Sequence, residues 1–316
     1  MKPARLAIDV QGGDYGAGTL IRGIVEANRS YGRAFGVHLC GNRSEILRSL
    51  EEHNSHSIAH QCDFVVEHCP ESIGPDENPT RVWKTKPRSS IVRCISLQSE
   101  GTVDVSLSAG DTRVLVATSV FILGKKDGVS RPALAALLPT TGSRPFLLLD
   151  AGANLDCRGE HLVSFAELGV DYYSRYSGVE KPSVSLLNVG LEETKGTRAI
   201  HEAHRVLSGS AANYAGFIEG SRVLAGDSDV VVTDGFAGNV LLKACESFYA
   251  LTEKVFENSR AIFDEIRKKM SILNAENYGA APLLGVKGDI FKAHGSSSPN
   301  AIANAVLAAV HTVDRD

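Results

Sequence analysis

One stretch near the C-terminus concentrates the residue types that hold a polar ligand. Tyr278-Gly-Ala-Ala-Pro-Leu-Leu-Gly-Val-Lys-Gly288 runs straight into Asp289-Ile-Phe-Lys-Ala-His-Gly-Ser-Ser-Ser-Pro299. The pattern predicts a small-residue loop, a short apolar strand, and a helix opened by His294-Gly295-Ser296-Ser297. Glycine lets main chain approach a ligand, and N–H groups at a helix start favour negative charge. The chemistry implied is the grip of an anion, with an imidazole able to donate a hydrogen bond or a proton near neutral pH.

Similar turns recur along the chain, each after a short apolar segment. Leu6-Ala-Ile-Asp9-Val10 leads through Gly12-Gly13-Asp14 to a helix around Leu20 to Arg29, and Gly36 to Cys40 leads through Gly41-Asn42 to another. Val103 to Leu107 enters Ser108-Ala-Gly110-Asp-Thr112 and an apolar helix from Val114 to Leu123. Phe146 to Asp150 enters a turn ending in Asn154, Val184 to Asn188 enters Gly190, and Asp229 to Asp234 enters Gly235-Phe-Ala-Gly-Asn239. Alternation of this kind predicts an α/β protein, a three-layer α/β/α sandwich with a mainly parallel sheet. In such sheets ligands gather at the carboxyl ends of strands, where all these turns would converge on one site. Any single one of these residues is as well explained as a cap or turn former.

Composition narrows the partner. The chain has 316 residues, 43% hydrophobic and 22% charged, with a formal net charge of −4, which suggests neither disorder nor bulk electrostatic binding to nucleic acid. That length makes one large domain or two packed lobes, read here as a single domain over 1–316. The N-terminus lacks the apolar core of a signal peptide and no apolar run is long enough to span a bilayer, so a cytoplasmic protein is expected. Cys40, Cys62, Cys69, Cys94, Cys157 and Cys245 form no Cys-x-x-Cys pair. Thus reduced structural thiols are expected. His53, His56, His60, Cys62, His68 and Cys69 match no metal spacing, and His201-Glu-Ala-His204 is not His-Glu-x-x-His, so no metal is expected. Gly-x-Gly-x-x-Gly with its ribose acid, the P-loop and the Gly-x-Ser-x-Gly elbow are all missing, which leaves no cofactor and favours a non-covalent transfer.

The ordered set Ile8-Asp-Val-Gln-Gly-Gly-Asp14, Ser108-Ala-Gly-Asp-Thr112, Asp150-Ala-Gly-Ala-Asn-Leu-Asp156, Leu187-Asn-Val-Gly190, Asp234-Gly-Phe-Ala-Gly-Asn239 and Tyr278 to Ser297 resembles the bacterial acyl-carrier-protein:phosphate acyltransferases of phospholipid synthesis. The resemblance spans nearly the whole chain. It implies reversible transfer of a long fatty acyl group from acyl carrier protein to inorganic phosphate, giving acyl phosphate. It further implies a fold like isopropylmalate dehydrogenase and phosphate acetyltransferases, a homodimer, and peripheral association with the membrane that houses a glycerol-3-phosphate acyltransferase.

That reaction makes three demands: orient a phosphate dianion, stabilise the carbonyl oxygen as it becomes negative, and let a thiolate leave. The turns Ser108 to Thr112 and His294-Gly295-Ser296-Ser297 would hold phosphate, with Lys86 or Lys292 supplying charge. His294 would serve the oxyanion or leaving sulfur, or else fix the helix start. Asp9, Asp14, Asp234, Asn154, Asn188 and Asn239 would orient donors, and Lys86-x-x-Ser89-Ser90 resembles the family's basic Ser-Ser motif. The basic run Arg81-Val-Trp-Lys-Thr-Lys-Pro-Arg-Ser-Ser90, with Arg93, would attract an acidic carrier or simply form a solvated face.

The tract 240–275 carries Val255, Phe256, Ile262, Phe263, Ile266, Met270 and Leu273 near helical spacing, beside Arg260, Arg267, Lys268 and Lys269. A protruding helix hairpin buried in a dimer, or a tip on anionic lipid, would account for it. Three departures from the family pattern stand out. Gln11 and Tyr15 replace the Met and His that usually flank the Gly-Gly-Asp motif. In the second motif Asp111 and Arg113 replace Asn and Gly, adding a carboxylate and a bulky cation beside the expected phosphate turn. Near Lys86, Pro87 and Arg88 replace a Lys-Asp pair.

Overall fold

The structure is a computed structural model that describes residues 3–14, 16–31, 35–52, 63–142, 144–210, 212–256 and 279–313. By internal contacts the chain divides into two compact units, Met1–Lys126 with Glu276–Asp316, and Asp127–Ala275.

In the first unit the strands are β1 (Arg5–Asp9), β2 (Gly36–Gly41), β3 (Asp63–His68), β4 (Val105–Ser108), β10 (Ala281–Leu284) and β11 (Asp289–Lys292), in the spatial order β3-β2-β1-β4-β11-β10. All neighbours are parallel except β10 and β11. Helices α1 (Gly16–Tyr31), α2 (Arg43–Glu52), α3 (Val82–Thr85), α4 (Ser90–Ser99), α5 (Thr112–Ile122) and α9 (Pro299–Val313) connect and cover them. The core of this unit joins Leu6 and Ile8 of β1, Ile21 and Ile24 of α1, Leu39 of β2 and Ile302 and Val306 of α9, all buried. Burying each such side chain contributes about 1.5–3 kcal/mol.

The second unit orders its strands β5-β6-β9-β7-β8. These are β5 (Ala133–Leu138), β6 (Phe146–Leu149), β7 (Val184–Asn188), β8 (Tyr214–Glu219) and β9 (Val230–Val232), parallel except for β5 against β6. Helices α6 (Gly159–Ser177), α7 (Arg198–Ser208) and α8 (Gly235–Phe256) pack with them. Phe146 to Leu149 and Val230 to Val232 are wholly buried, as uninterrupted apolar runs should be when helices cover both faces of a parallel sheet.

The α/β class and mainly parallel pairing expected from the sequence are found. Two local expectations change. The Gly-Ala-Ala-Pro-Leu-Leu segment, read as loop, supplies strand β10, which pairs antiparallel with β11. The turn at His294 does not open a helix: residues 295–296 form a turn, and α9 starts at Pro299, where Ser298 Oγ accepts the Ala301 N–H. Pro299 suits the first helical position because its missing N–H is not needed there. Tyr15, His53 to Cys62, the tract beyond Phe256 and Tyr278, to which the sequence attached expectations, lie outside the described residues.

Candidate functional site

In the first unit three parallel strands deliver three turns to one place. Register sets Asp9 of β1 beside Ser108 of β4, and Ser108 beside Lys292 of β11, so the three lie in one row across the sheet. Beyond that row the chains turn together. Asp9, 2% exposed, accepts the N–H of Gln11 and Gly12 at 3.2 and 2.9 Å and the Ser108 hydroxyl at 2.7 Å. Ser108 Oγ in turn accepts the Gly110 N–H at 3.0 Å, and Gly295 O accepts the Asp14 N–H at 2.8 Å. This chain of bonds ties Gly12-Gly13-Asp14, Ser108 to Thr112 and His294 to Ser297 into one knot.

The approach is close enough to dictate glycine. A Cβ on Gly12 would collide with the Asp9 carboxylate and lie 2.6 Å from Gly110 N, while Gly13 has φ +118°, where a side chain is strained. Several donors expected to face phosphate are therefore spent inside the protein, those of Gly12, Gly110 and Ser108 among them. The crevice between the turns, lined by Gly13, Ala109, His294 and Gly295, holds only about 10 Å³. That is room for about one water.

His294 is exposed beside this crevice. Its Nδ1 accepts the Ser296 N–H at 3.2 Å and lies 2.7 Å from Ser296 Oγ, so the neutral ring carries its proton on Nε2. Lys292 Nζ donates to the carbonyls of Ala109 and Ala293, which pins its ammonium to the knot. Ser297 donates its N–H to His294 O at 3.2 Å.

An open cleft of about 510 Å³ adjoins the knot, walled by Asp9, Gly12, Gly13 and Gly110 on that side and by Ser90, Ile91 and the Glu71–Glu77 loop on the other. Its lining is rich in acid: among the described residues Glu45, Glu71, Glu77 and Asp111 stand with one cation, Arg113. Asp111 caps α5, accepting the N–H of Arg113 and Val114 at 2.8 and 3.2 Å. Arg113 folds back on it at 2.8 Å, and that guanidinium, helped by the backbone donors, holds the Asp111 carboxyl below its ordinary value. Ser89 is buried, its hydroxyl on Lys86 O at 2.8 Å. Lys86 donates to Ser72 O at 3.0 Å and pairs with Glu77 at 3.3 Å, so its charge is matched within the protein.

The second unit gathers the remaining candidates around a different aspartate. Asp150, fully buried at the end of β6, accepts N–H groups from Leu134, Gly152, Ala153 and Asn154 and the Asn154 side-chain amide, at 2.6–3.0 Å. Burial pushes its carboxyl up, against the pull of those donors. Asn154 also donates to Pro132 O at 2.8 Å, and Asn239 reaches Ala151 O at 3.4 Å. Asp234 caps α8 through the Ala237 N–H at 2.8 Å. Asn188 holds its loop by donating to the carbonyls of Gly190 and Lys195. Asn188 and Asp234 line an open pocket of about 620 Å³ with Leu187, Val189, Ile200 and Thr233. Sequence reading thus missed Asp150 as the hub here and missed the Glu71–Glu77 wall. Pro70, Gly74, Pro75 and Pro79 around that wall were the available signal for a shaped loop. Gln11, whose amide oxygen is buried without a hydrogen-bond partner among the described residues, was noticed only as a departure.

Among the described residues no group of His, Cys, Asp or Glu is arranged to hold a metal ion, and no helix is long and apolar enough to cross a membrane. Cys40, Cys69, Cys94, Cys157 and Cys245 are free thiols.

Parallel strands whose carboxyl-end turns build polar clefts define an α/β ligand-binding fold, and solved structures share it. A phosphotransacetylase from Streptococcus pyogenes superposes with a TM-score of 0.65 at 15% identity, over 99% of this chain and 94% of that one. At that identity the likeness speaks for the fold alone.

Sequence carries the assignment further. A family model described as fatty acid synthesis protein matches residues 4–316. Phosphate acyltransferases of Dehalococcoides mccartyi and Desulforamulus reducens are each 38% identical over 98% of this chain, covering 91% and 94% of their own lengths. The chain belongs to the phosphate acyltransferase family, as its ordered motifs had indicated.

Proposed function

We propose that the protein transfers a long-chain fatty acyl group from the thioester of acyl carrier protein to inorganic phosphate. A phosphate oxygen attacks the carbonyl carbon, the carbon–sulfur bond breaks, and the carrier's thiolate leaves as acyl phosphate forms. The observation that carries this reading is the Asp9–Ser108–Lys292 row and the knot of turns built on it, beside an open cleft. In it Lys292 supplies positive charge and His294 Nε2–H donates to the carbonyl oxygen or the departing sulfur. Asp9 is a positioning residue that holds Gly12 and Ser108 in place. Phosphate is nucleophilic and largely ionised at neutral pH, so no strong base is needed.

The test is acyl phosphate, trapped as the hydroxamate, from purified protein with phosphate and palmitoyl-acyl carrier protein, with palmitoyl-coenzyme A in parallel. Product from the carrier donor supports the proposal. Product from coenzyme A alone reassigns the donor, and none from either refutes it.

One observation favours a second reading, a catalytically weakened relative acting as a scaffold for lipid-synthesis enzymes. The Asp111 carboxylate occupies the start of α5 and Arg113 is spent on it, in a cleft wall already rich in acid. Placing a dianion there costs energy. The double substitution Asp111→Asn with Arg113→Gly separates the two readings.

The proposal extends to a cytoplasmic homodimer that touches the anionic membrane surface near its partner glycerol-3-phosphate acyltransferase. Exposed Phe236, Val240, Leu251 and Val255 on α8, spaced along one helical stripe, support an interaction face there.

A further inference from the structure

The chain's one tryptophan stands in an unusual setting. Trp83 of α3 stacks on Phe121 of α5 with ring centroids 5.1 Å apart and planes 18° from parallel, and Phe121 is 51% exposed. Lys84 Nζ lies 4.6 Å from the centre of the indole, and the indole N–H is fixed on Thr80 O at 3.1 Å. Trp83 is thus half-buried against the unit's core, and Phe121 is the exposed member of the pair.

The cations around it divide sharply. Of the basic run that the sequence offered, Lys86 is matched by Glu77, and Arg93 by Glu67 and Glu100. Arg81, Lys84 and Arg88 are exposed and enter no ion pair among the described residues. Surface cations without an ion-pair partner among the described residues, beside an exposed Phe121 stacked on a half-buried Trp83, on a chain whose net charge is −4, are what an acidic protein partner would select.

We propose that the Trp83–Phe121 platform, with Arg81, Lys84 and Arg88, is the surface on which the acidic carrier protein docks. The inference rests on the donor assigned above and names where that donor sits. Position supports it. Arg113 in the cleft wall and Phe121 belong to one helix, eight residues apart, which sets the platform about 12 Å along α5 from the cleft. A carrier that presents its thioester on an extended prosthetic arm must dock at some remove from the reacting atoms. A lipid surface fits less well, because Val82 is buried and Ile122 and Leu123 are half-buried in the unit's core, leaving little apolar area to insert.

Trp83 provides its own reporter. Titration of the protein with holo-acyl carrier protein should change tryptophan emission saturably, and 0.5 M salt, an order-of-magnitude choice that screens surface charge, should weaken the response. In the triple variant Arg81→Glu, Lys84→Glu, Arg88→Glu, carrier affinity should fall about tenfold or more. The KM for palmitoyl-acyl carrier protein should rise by the same factor while the KM for phosphate and any turnover of palmitoyl-coenzyme A stay unchanged. Phe121→Ser, at an exposed position, should repeat the effect with the charges intact, and thermal melts establish that both variants fold. Unaltered carrier affinity in both variants would overturn the surface, and so would loss of sedimentation with phosphatidylglycerol vesicles while carrier affinity holds. Because emission reads binding without turnover, a saturable response from a protein that makes no acyl phosphate sinks the activity and keeps the surface. Turnover of the carrier donor that is indifferent to both variants does the reverse.

Discussion

Each unit of the molecule ends a buried strand in an aspartate that collects hydrogen bonds, yet the two aspartates are built differently. Asp150 draws four of its five donors from the loop that directly follows it, Gly152 to Asn154. Asp9 divides its acceptance between its own turn and Ser108, 99 residues away, and that hydroxyl passes the connection on to Gly110. The first arrangement makes a loop rigid. The second makes two segments distant in sequence share one geometry, and the Asp14 N–H to Gly295 O bond adds a third, which is what a site that must position two substrates requires. On this comparison, loss of Asp150 should tell mainly on stability and loss of Asp9 mainly on activity.

Removing the acceptor should separate them. Asp150→Leu strands buried donors and should cost about 3–5 kcal/mol in denaturant unfolding. Asp9→Asn keeps shape and one acceptor, so it should cost only about 1–2 kcal/mol. Misplacing the knot should nevertheless lower acyl phosphate formation about 100-fold or more. Equal effects of the two substitutions on stability and on activity would dissolve the distinction.

Gly12→Ala attacks the knot by bulk. Its Cβ meets both Asp9 and Gly110, and overpacking of this kind costs about 1–3 kcal/mol. Activity should be lost even at temperatures where calorimetry finds the variant folded, which a purely structural knot would not explain.

Smaller in effect, the pair Asp111→Asn with Arg113→Gly reopens the start of α5. An anion near a freed helix start gains at most about 1–2 kcal/mol, so kcat/KM for phosphate should rise about tenfold. A fall would make Arg113 a phosphate ligand instead.

The smallest effect is on pH dependence. Asp111 has a folded pKa lowered chiefly by Arg113, so its contribution is present above the ordinary carboxylate value and is lost as pH falls through the lowered one. Because the pair is exposed, the gap in melting between wild type and Asp111→Ala should correspond to about 1 kcal/mol at neutral pH and narrow as pH falls through the lowered value.

Much of this was legible in the sequence for a local reason. Apolar runs such as Phe146 to Leu149 and Val230 to Val232 announce buried parallel strands, and the Gly, Asn and Asp residues after them announce the turns, because both signals depend on neighbours along the chain. Ordered motifs sufficed for the family. Other features were illegible because they depend on partners distant in sequence. The Gly-Ala-Ala-Pro-Leu-Leu segment reads as loop, and becomes β10 because β11 offers it hydrogen bonds. Lys86 and Arg93 look like free charge until Glu77 and Glu67 are found beside them.

What the sequence determined by itself, then, is the class of fold, the turns and the family, since periodicity and turn chemistry act over a few residues. Only the tertiary structure decided how those turns are used. Strand order and register put Asp9, Ser108 and Lys292 in one row, spent the expected phosphate donors on holding three turns together, and left Phe121 exposed on Trp83 near a few cations with no ion pair among the described residues. Register is a property of paired strands, and hydrogen bonds and ion pairs saturate, so which groups remain available is settled only when every partner is in place.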